Sequence, residues 1–246
     1  MSQRHYGLIG RNIAYSFSKK YFTDKFALGS LEDCFYNIFD LPTLEAFPKL
    51  IAENPNLKGL NVTIPYKEAI LPYLHKLSKS AAQIGAANVI RLTKKGKLKG
   101  YNSDYYGFMK SLKPLLESHH KKALILGTGG AAKAVAFALN KLGILHTFVS
   151  REATEKTIDY NRINATTFDN YHIIINCTPL GTSPNIKEFP PIPYEFFTNK
   201  HIAFDLVYNP EETVFLKKAK KKGAVTKNGY DMLVFQAEKA WKIWNK

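Results

Sequence analysis

Gly127-Thr128-Gly129-Gly130-Ala131-Ala132 directly follows the apolar run Ala123-Leu124-Ile125-Leu126 and opens a helical pattern over residues 131–142. A G-x-G-x-x-A turn between a strand and a helix lets the backbone approach a pyrophosphate, whose charge the helix N-terminus stabilises. Lys133 does not make this a Walker A loop, because the G-K-[ST] ending is absent. In a dinucleotide-binding unit the second strand ends at the residue that reads the adenosine ribose. That residue is Asp or Glu for NAD, whereas a nearby Arg accommodates the 2′-phosphate of NADP. Here Val149 leads into Ser150-Arg151-Glu152. The planar, permanently charged Arg151 suits a phosphate and favours NADP. Glu152 pulls the other way, either by pairing with Arg151 or by standing in for the acid of NAD enzymes, so NAD stays open.

A second group of reactive side chains lies upstream. Gly59-Leu60-Asn61-Val62-Thr63-Ile64-Pro65-Tyr66-Lys67-Glu68 puts Asn61, Thr63 and Lys67 at the end of an apolar strand. In α/β sheets ligands bind beyond the carboxyl ends of strands. Gly85-Ala86-Ala87-Asn88 and Gly100-Tyr101-Asn102-Ser103-Asp104 are two more glycine-flanked turns carrying amides and an acid. Ordinary turn chemistry accounts for each of these taken singly. A lysine and an aspartate would suit proton transfer at a hydroxyl, but residue types alone do not pair 67 with 104.

These residues need a frame of alternating strands and helices. Residues 6–10, 34–39 and 57–64 read as strands, and 18–28, 44–53 and 68–84 as helices, which points to parallel α/β layers. Residues 87–92 and 97–101 read as a hairpin around Lys94-Lys95-Gly96. The composition turns polar over 112–122, which marks a domain junction. Beyond it come strands at 123–126, 147–149, 173–175 and 202–206, and helices at 131–142, 211–222 and 232–244. The acids at the start of 211–222, its closing lysines and Gly223 match a helix dipole and a glycine cap, so that lysine cluster needs no ligand.

Together the motifs resemble the shikimate dehydrogenase family from Tyr6 to Trp244. Gly7-Leu8-Ile9-Gly10 through Ser16-Phe17-Ser18 is similar to its G-x-I-G…S-x-S segment, and Asn61 to Lys67 to N-V-T-x-P-x-K. Ile84 to Asn88 resembles I-G-A-x-N, and Gly100 to Asp104 resembles G-x-N-T-D. Asn176-Cys177-Thr178-Pro179-Leu180-Gly181 is similar to N-x-T-P-x-G, Asp205 to Pro210 to D-x-x-Y-N-P, and Gly229 to Gln236 to G-x-x-M-L-x-x-Q. Lys19 and Phe22 replace the proline and histidine that commonly follow S-x-S. Ser150-Arg151-Glu152 replaces N-R-T, and the second basic residue is displaced to Lys156.

The resemblance implies an NADP-dependent oxidoreductase acting on a CH–OH group, which reversibly reduces 3-dehydroshikimate to shikimate in aromatic amino-acid biosynthesis. It implies an N-terminal α/β substrate-binding domain over 1–107, completed by the C-terminal helix 232–246. A Rossmann-like, doubly wound parallel-sheet domain follows over 108–231, with the site in the cleft between. Lys67 and Asp104 would be catalytic. Ser16, Ser18 and Tyr208 would hold the substrate carboxylate, while Thr63, Asn88 and Gln236 would read ring hydroxyls. Ser18 has helix N-capping as its plainer alternative, and Gln236 a solvated helix surface. Gly127, Thr128, Gly129, Gly130, Ala131, Ser150, Arg151, Thr178, Gly229 and Met232 would bind the coenzyme. A quinate/shikimate dehydrogenase is the rival within the family.

The 246 residues are 45% hydrophobic and 13% aromatic, enough for a sizeable core and against a disordered chain. The 35 Lys and Arg against 20 Asp and Glu give +15 and favour anionic partners without choosing among them. A nucleic-acid-binding protein is disfavoured because no aromatic–basic motif accompanies the lysines. A non-catalytic sensor is disfavoured by the presence of Lys67 and Asp104. No apolar stretch reaches the roughly 18 residues of a membrane span, and no signal-peptide pattern opens the chain. Two distant cysteines, Cys34 and Cys177, leave no disulfide framework and suggest a reducing compartment. The seven histidines lack ligand spacing, so no metal is expected. The expectation is a cytoplasmic enzyme, monomer or homodimer, with a small-molecule substrate and neither membrane nor nucleic acid as partner.

Overall fold

The computed structural model describes residues 3–13 and 16–246, in two compact units: Met1–Ser103 with Ala237–Lys246, and Asp104–Gln236. The first carries β1 (Arg4–Gly10), α1 (Phe17–Leu28), β2 (Cys34–Asp40), α2 (Phe47–Glu53), β3 (Leu57–Val62), α3 (Tyr66–Ala69), β4 (Lys76–Leu77), α4 (Lys79–Ile84), β5 (Val89–Leu92) and β6 (Leu98–Tyr101). The second carries α5 (Asp104–Leu112), β7 (Lys122–Leu126), α6 (Gly130–Lys141), β8 (Leu145–Ser150), β9 (Thr157–Asp159), α7 (Ala165–Asn170), β10 (Ile173–Asn176), β11 (Ile202–Asp205), α8 (Val214–Lys220) and β12 (Val225–Lys227). The last helix, α9 (Tyr230–Trp244), begins in the second unit and ends in the first.

The first sheet has the order β2-β1-β3-β5-β6-β4. β1 lies parallel to β2 and β3, whereas β5 runs antiparallel to β3 and β6. The expected parallel layering therefore holds for three strands and then gives way. The connection between β5 and β6 is too short for a crossover, and a hairpin is antiparallel by construction. Alternation splits the core by face. Tyr6, Leu8 and Val89 meet α1 and the end of α9, while Ile9, Leu60, Val62 and Ile90 meet Phe47, Tyr66 and Ile70. On the first face Trp244 donates to the Ile90 carbonyl (3.1 Å) and stacks on Tyr6 (5.0 Å). Its indole lies so close over Gly59 that a methyl there would collide with it. Lys25 and Tyr21 both bind the Glu238 carboxylate (2.6 and 2.5 Å), tying α1 to α9.

The single helix expected over 68–84 is four pieces. Pro72 sits in a 3-10 turn, Leu71–Tyr73, after α3, and the chain then turns into β4. α4 starts afresh because the Ser78 hydroxyl accepts the Ala81 N–H (3.2 Å). Apolar periodicity is blind to both signals.

The second sheet is doubly wound: six parallel strands in the order β12-β11-β10-β7-β8-β9. Phe108, Val135, Leu139 and Met232 cover one face, and Phe168, Phe197, Phe215 and Leu216 the other. The polar stretch 112–122 is not a boundary, because Leu112, Leu115 and Leu116 pack into the first of these clusters. Asp104, the first residue of α5, falls in the second compact unit. α8 starts later than expected, at Val214, because Thr213 caps it. No helix among the described residues is long and apolar enough to cross a membrane.

Four histidines gather within the second unit. The His119 ring lies 4.1 Å from His120 and 5.3 Å from His172, and His172 lies 5.4 Å from His201. Burial, reinforced at each by neighbouring histidine charge, pushes His120, His172 and His201 below the ordinary histidine value of 6.5. Glu117 and Asp169 act against that shift and Lys200 adds to it at His172. A group with a depressed folded-state pKa binds fewer protons folded than unfolded. It therefore adds stability above 6.5 that is lost as the pH falls below that value. Asp205, shifted upward by burial, has the opposite sign. The urea midpoint of the wild type is expected to drop between pH 7.5 and 5.5, and by less in His172→Gln. Equal drops in the two proteins would remove His172 from this account.

Candidate active site

In the first unit Ser16, Ser18 and Asn88 lie along one line of hydrogen bonds, and Thr63 and Lys67 lie off it. Ser16, not Ser18, caps α1: its hydroxyl accepts the Ser18 N–H (3.3 Å). The Ser18 hydroxyl is thereby free of capping and reaches the Tyr36 phenol. Tyr36, whose pKa burial pushes up, donates to the Asn61 side-chain oxygen Oδ1 (2.8 Å), and the Asn61 side-chain Nδ2 donates to the Asn88 backbone carbonyl (3.3 Å). The Asn88 side chain in turn donates to the Ser103 hydroxyl (3.0 Å) and accepts the Ser103 N–H (2.6 Å). The line runs from the start of α1 across β2 and β3 and through Asn88, just ahead of β5, to Ser103. Thr63 follows β3, with its methyl packed toward Gly10, and Lys67 lies in α3, where its carbonyl accepts the Ala87 N–H (2.8 Å). Tyr36 was not anticipated, because a tyrosine in an apolar strand pattern reads as core.

In the second unit Asp104 is the first residue of α5 and is buried. One turn on, Gly107 faces α9: a Cβ there would lie 2.5 Å from the Met232 carbonyl oxygen and 3.0 Å from the Gln236 nitrogen. That approach places the helix bearing Asp104 against the helix bearing Gln236, which is itself buried and not a solvated surface residue. Tyr208 is half-buried, and Met232 is buried in the cluster around Phe108.

The glycine turn stands at the carboxyl edge of the second sheet. Gly127 has φ +105°, a conformation that favours glycine. Its Cβ position lies 3.3 Å from the Thr178 methyl, so the turn is seated on the loop after β10. Gly129 is the N-cap of α6, has open space where a side chain would project, and provides no side-chain cap. No acid occupies the first turn of α6. Exposed Thr128, with Gly130 and Ala131 behind it, thus surrounds a helix N-terminus whose backbone N–H groups and dipole suit a phosphate. These residues fit a dinucleotide. Gly229 has no room for a side chain, since a methyl would strike the Leu206 carbonyl, and its N–H donates to Val207 O (3.1 Å).

At the end of β8 the Ser150 hydroxyl closes its own turn, donating to Glu152 O (2.8 Å) and accepting Glu152 N–H (3.2 Å). Arg151 and Glu152 are both exposed, and no ion pair joins them among the described residues. Thr178 is held by Asn176, whose amide reaches the buried Asp205. Asn176 and Asp205 appeared in the sequence only as motif letters, without a role. Among the described residues no three His, Cys, Asp or Glu side chains are arranged to hold a metal.

A Gly107→Ala substitution is expected to cost about 1–3 kcal/mol of stability by forcing α5 and α9 apart, read as a lower urea midpoint. An unchanged midpoint would mean that the pair absorbs the methyl.

Residues 8–90 match the family model described as the shikimate dehydrogenase substrate binding domain. The chain is 39% identical to the shikimate dehydrogenase (NADP(+)) of Clostridium botulinum over 249 residues, covering 97% of this chain and 95% of that protein. Among solved structures, shikimate dehydrogenase from Aquifex aeolicus superposes with a TM-score of 0.87 at 33% identity, covering 99% of this chain and 92% of that one. The Thermus thermophilus enzyme in complex with NADP(H) and shikimate gives 0.85 at 32% identity, covering 98% and 93%. The chain belongs to the shikimate dehydrogenase family.

Proposed function

We propose that this protein catalyses the reversible, NADPH-dependent reduction of 3-dehydroshikimate to shikimate in aromatic amino-acid biosynthesis. The reading rests chiefly on the uncapped, acid-free N-terminus of α6 behind the open Gly129, in a chain of this family. Bound NADPH supplies the hydride that the carbonyl carbon accepts. Gly127, Thr128, Gly129, Gly130 and Ala131 hold the pyrophosphate, and Arg151 takes the 2′-phosphate. Thr178, Gly229 and Met232 border the nicotinamide half.

Lys67 donates a hydrogen bond to the oxygen as negative charge develops on it, and delivers the proton that oxygen gains. Asp104 is the carboxylate proposed to orient the reacting hydroxyl. Ser16, Ser18 and Tyr208 offer hydroxyl donors to the substrate carboxylate. Thr63, Asn88 and Gln236 pair with the ring hydroxyls, and an analogue lacking one would leave a polar group unpaired. Asn88 also fixes Ser103.

Absorbance at 340 nm with shikimate and NADP⁺ tests the assignment. Turnover is expected to fall by about 10²–10⁴-fold in Lys67→Ala with the protein still folded. Absence of turnover in the folded wild type, or a kcat/KM for quinate equal to that for shikimate, would overturn the assignment. Arg151→Ala is expected to raise KM for NADP⁺ on the order of tenfold while leaving NAD⁺ unaffected. Equal effects on the two coenzymes would remove Arg151 from phosphate recognition.

A further inference from the structure

Asp205 has no accessible surface, and no cation among the described residues pairs with it. Its carboxylate accepts three hydrogen bonds, from the Asn176 amide (3.0 Å), the Val207 N–H (3.0 Å) and the Thr213 hydroxyl (2.6 Å). A carboxylate accepts and cannot donate. The side-chain amide next to it must therefore point its NH₂ at Asp205 and its oxygen the opposite way. That oxygen faces Thr178, from which it accepts both the backbone N–H (3.0 Å) and the hydroxyl (2.6 Å). The second N–H of the Asn176 amide goes to Leu180 O (3.3 Å), so every polar position of this side chain is taken. The Thr178 hydroxyl has one proton, and Asn176 takes it. One of its lone pairs accepts the Leu180 N–H (3.3 Å). What the hydroxyl has left to offer is a single lone pair.

We propose that Asp205 is a positioning residue that, through Asn176, makes Thr178 an acceptor-only contact, so that Thr178 receives a hydrogen-bond donor of the coenzyme and repels its phosphate oxygens. The donor is an amide N–H or a ribose O–H, the two kinds a nicotinamide nucleotide carries. This rests on the coenzyme reading above. The loop it concerns is the one on which Gly127 is seated.

Protonation of Asp205 removes the constraint, because a neutral carboxyl donates as well as accepts and lets the amide face either way. Burial outweighs the three hydrogen bonds and pushes the Asp205 pKa up to about 6. The titratable groups that face it, Cys177 and Tyr194, are both raised above their ordinary values and stay neutral in this range. Coenzyme affinity is thus linked to loss of a proton from Asp205.

Calorimetric titration of the intact protein with NADP⁺ between pH 5.5 and 8 tests this without turnover. The 2′-phosphate of the coenzyme also titrates near pH 6, so the readout is the difference between wild type and Asp205→Asn at each pH. The variant is expected to bind on the order of tenfold more weakly at pH 8, the equivalent of one hydrogen bond. The gap should close toward pH 5.5, with the shikimate KM unchanged. A variant that only loses thermal stability, with wild-type affinity and pH profile per folded molecule, overturns the proposal. Should Asp205→Asn fail to fold, Thr178→Val is expected to bind on the order of tenfold more weakly and Thr178→Ser like wild type. Equal binding by Val and Ser overturns it. The 3-acetylpyridine analogue of NADP⁺ lacks the carboxamide N–H. Indifference of its affinity to Thr178→Val assigns the donor to the amide, and sensitivity assigns it to a ribose hydroxyl. Failure of the wild type to bind NADP⁺ or NAD⁺ overturns the coenzyme reading and this inference with it. Binding by the wild type that Asp205→Asn leaves unaltered overturns this inference alone.

Discussion

Both units solve the same problem: an asparagine at the carboxyl end of an inner strand, where water cannot satisfy it. Asn61 on β3 and Asn176 on β10 are each buried, and an amide left unpaired there would cost about 1–3 kcal/mol per lost partner. Each is paired by spending neighbouring polar groups, and those neighbours lead to the residues assigned to the ligands. From Asn61 the bonds run to Tyr36 and Asn88, then to Ser18 on one side and Ser103 on the other. From Asn176 they run to Thr178 and Asp205. Parallel pairing makes this possible, because it brings Leu126, Asn176 and Asp205 into register at one edge. On the proposed reading, satisfying a buried amide and placing a binding residue are here one requirement.

Glycines do two different jobs around these networks. Gly127 supplies a backbone conformation, while Gly107 and Gly229 supply space, the first between two helices and the second under a carbonyl. The distinction decides what substitution does. A larger residue at a spacing glycine moves the elements it separates, whereas one at Gly127 changes the path of the turn itself.

Much of the frame was legible because it depends on local patterns: β1, β7, β10 and α6 each announce themselves by an apolar run with a glycine or polar residue at its end. The misread segments are those where a capping or breaking residue overrules the pattern. Pro72 and Ser78 split residues 68–84 into pieces that apolar spacing joins. At 112–122 a polar surface hides three leucines that hold the segment to the core, so a change in composition passes for a boundary. In the candidate site, the residues carried by motifs were visible, but the groups that orient them were not. Tyr36 reads as core and Asp205 as one letter of a loop, because a buried polar residue declares its role only through partners distant in sequence. Asn176 and Asp205 are 29 positions apart and meet by strand register alone.

Coenzyme choice is set in a different physical regime. The Ser150 hydroxyl spends both its donor and an acceptor position on Glu152, so it stabilises the turn after β8 and has little left for a ribose. On the proposed reading, discrimination then falls to the exposed side chains of Arg151, Glu152 and Lys156, which the fold neither buries nor pairs with one another. Exposed charges interact weakly in water and are screened by salt, so a preference built on them is modest until a phosphate joins them. Buried positions such as Asp205 and Asn61 cannot be exchanged without unpairing a neighbour, but those at 151 and 152 can. On that reading the same scaffold would change its dinucleotide by surface substitution, while the side chains of its inner strands are held in place by the amides that terminate them.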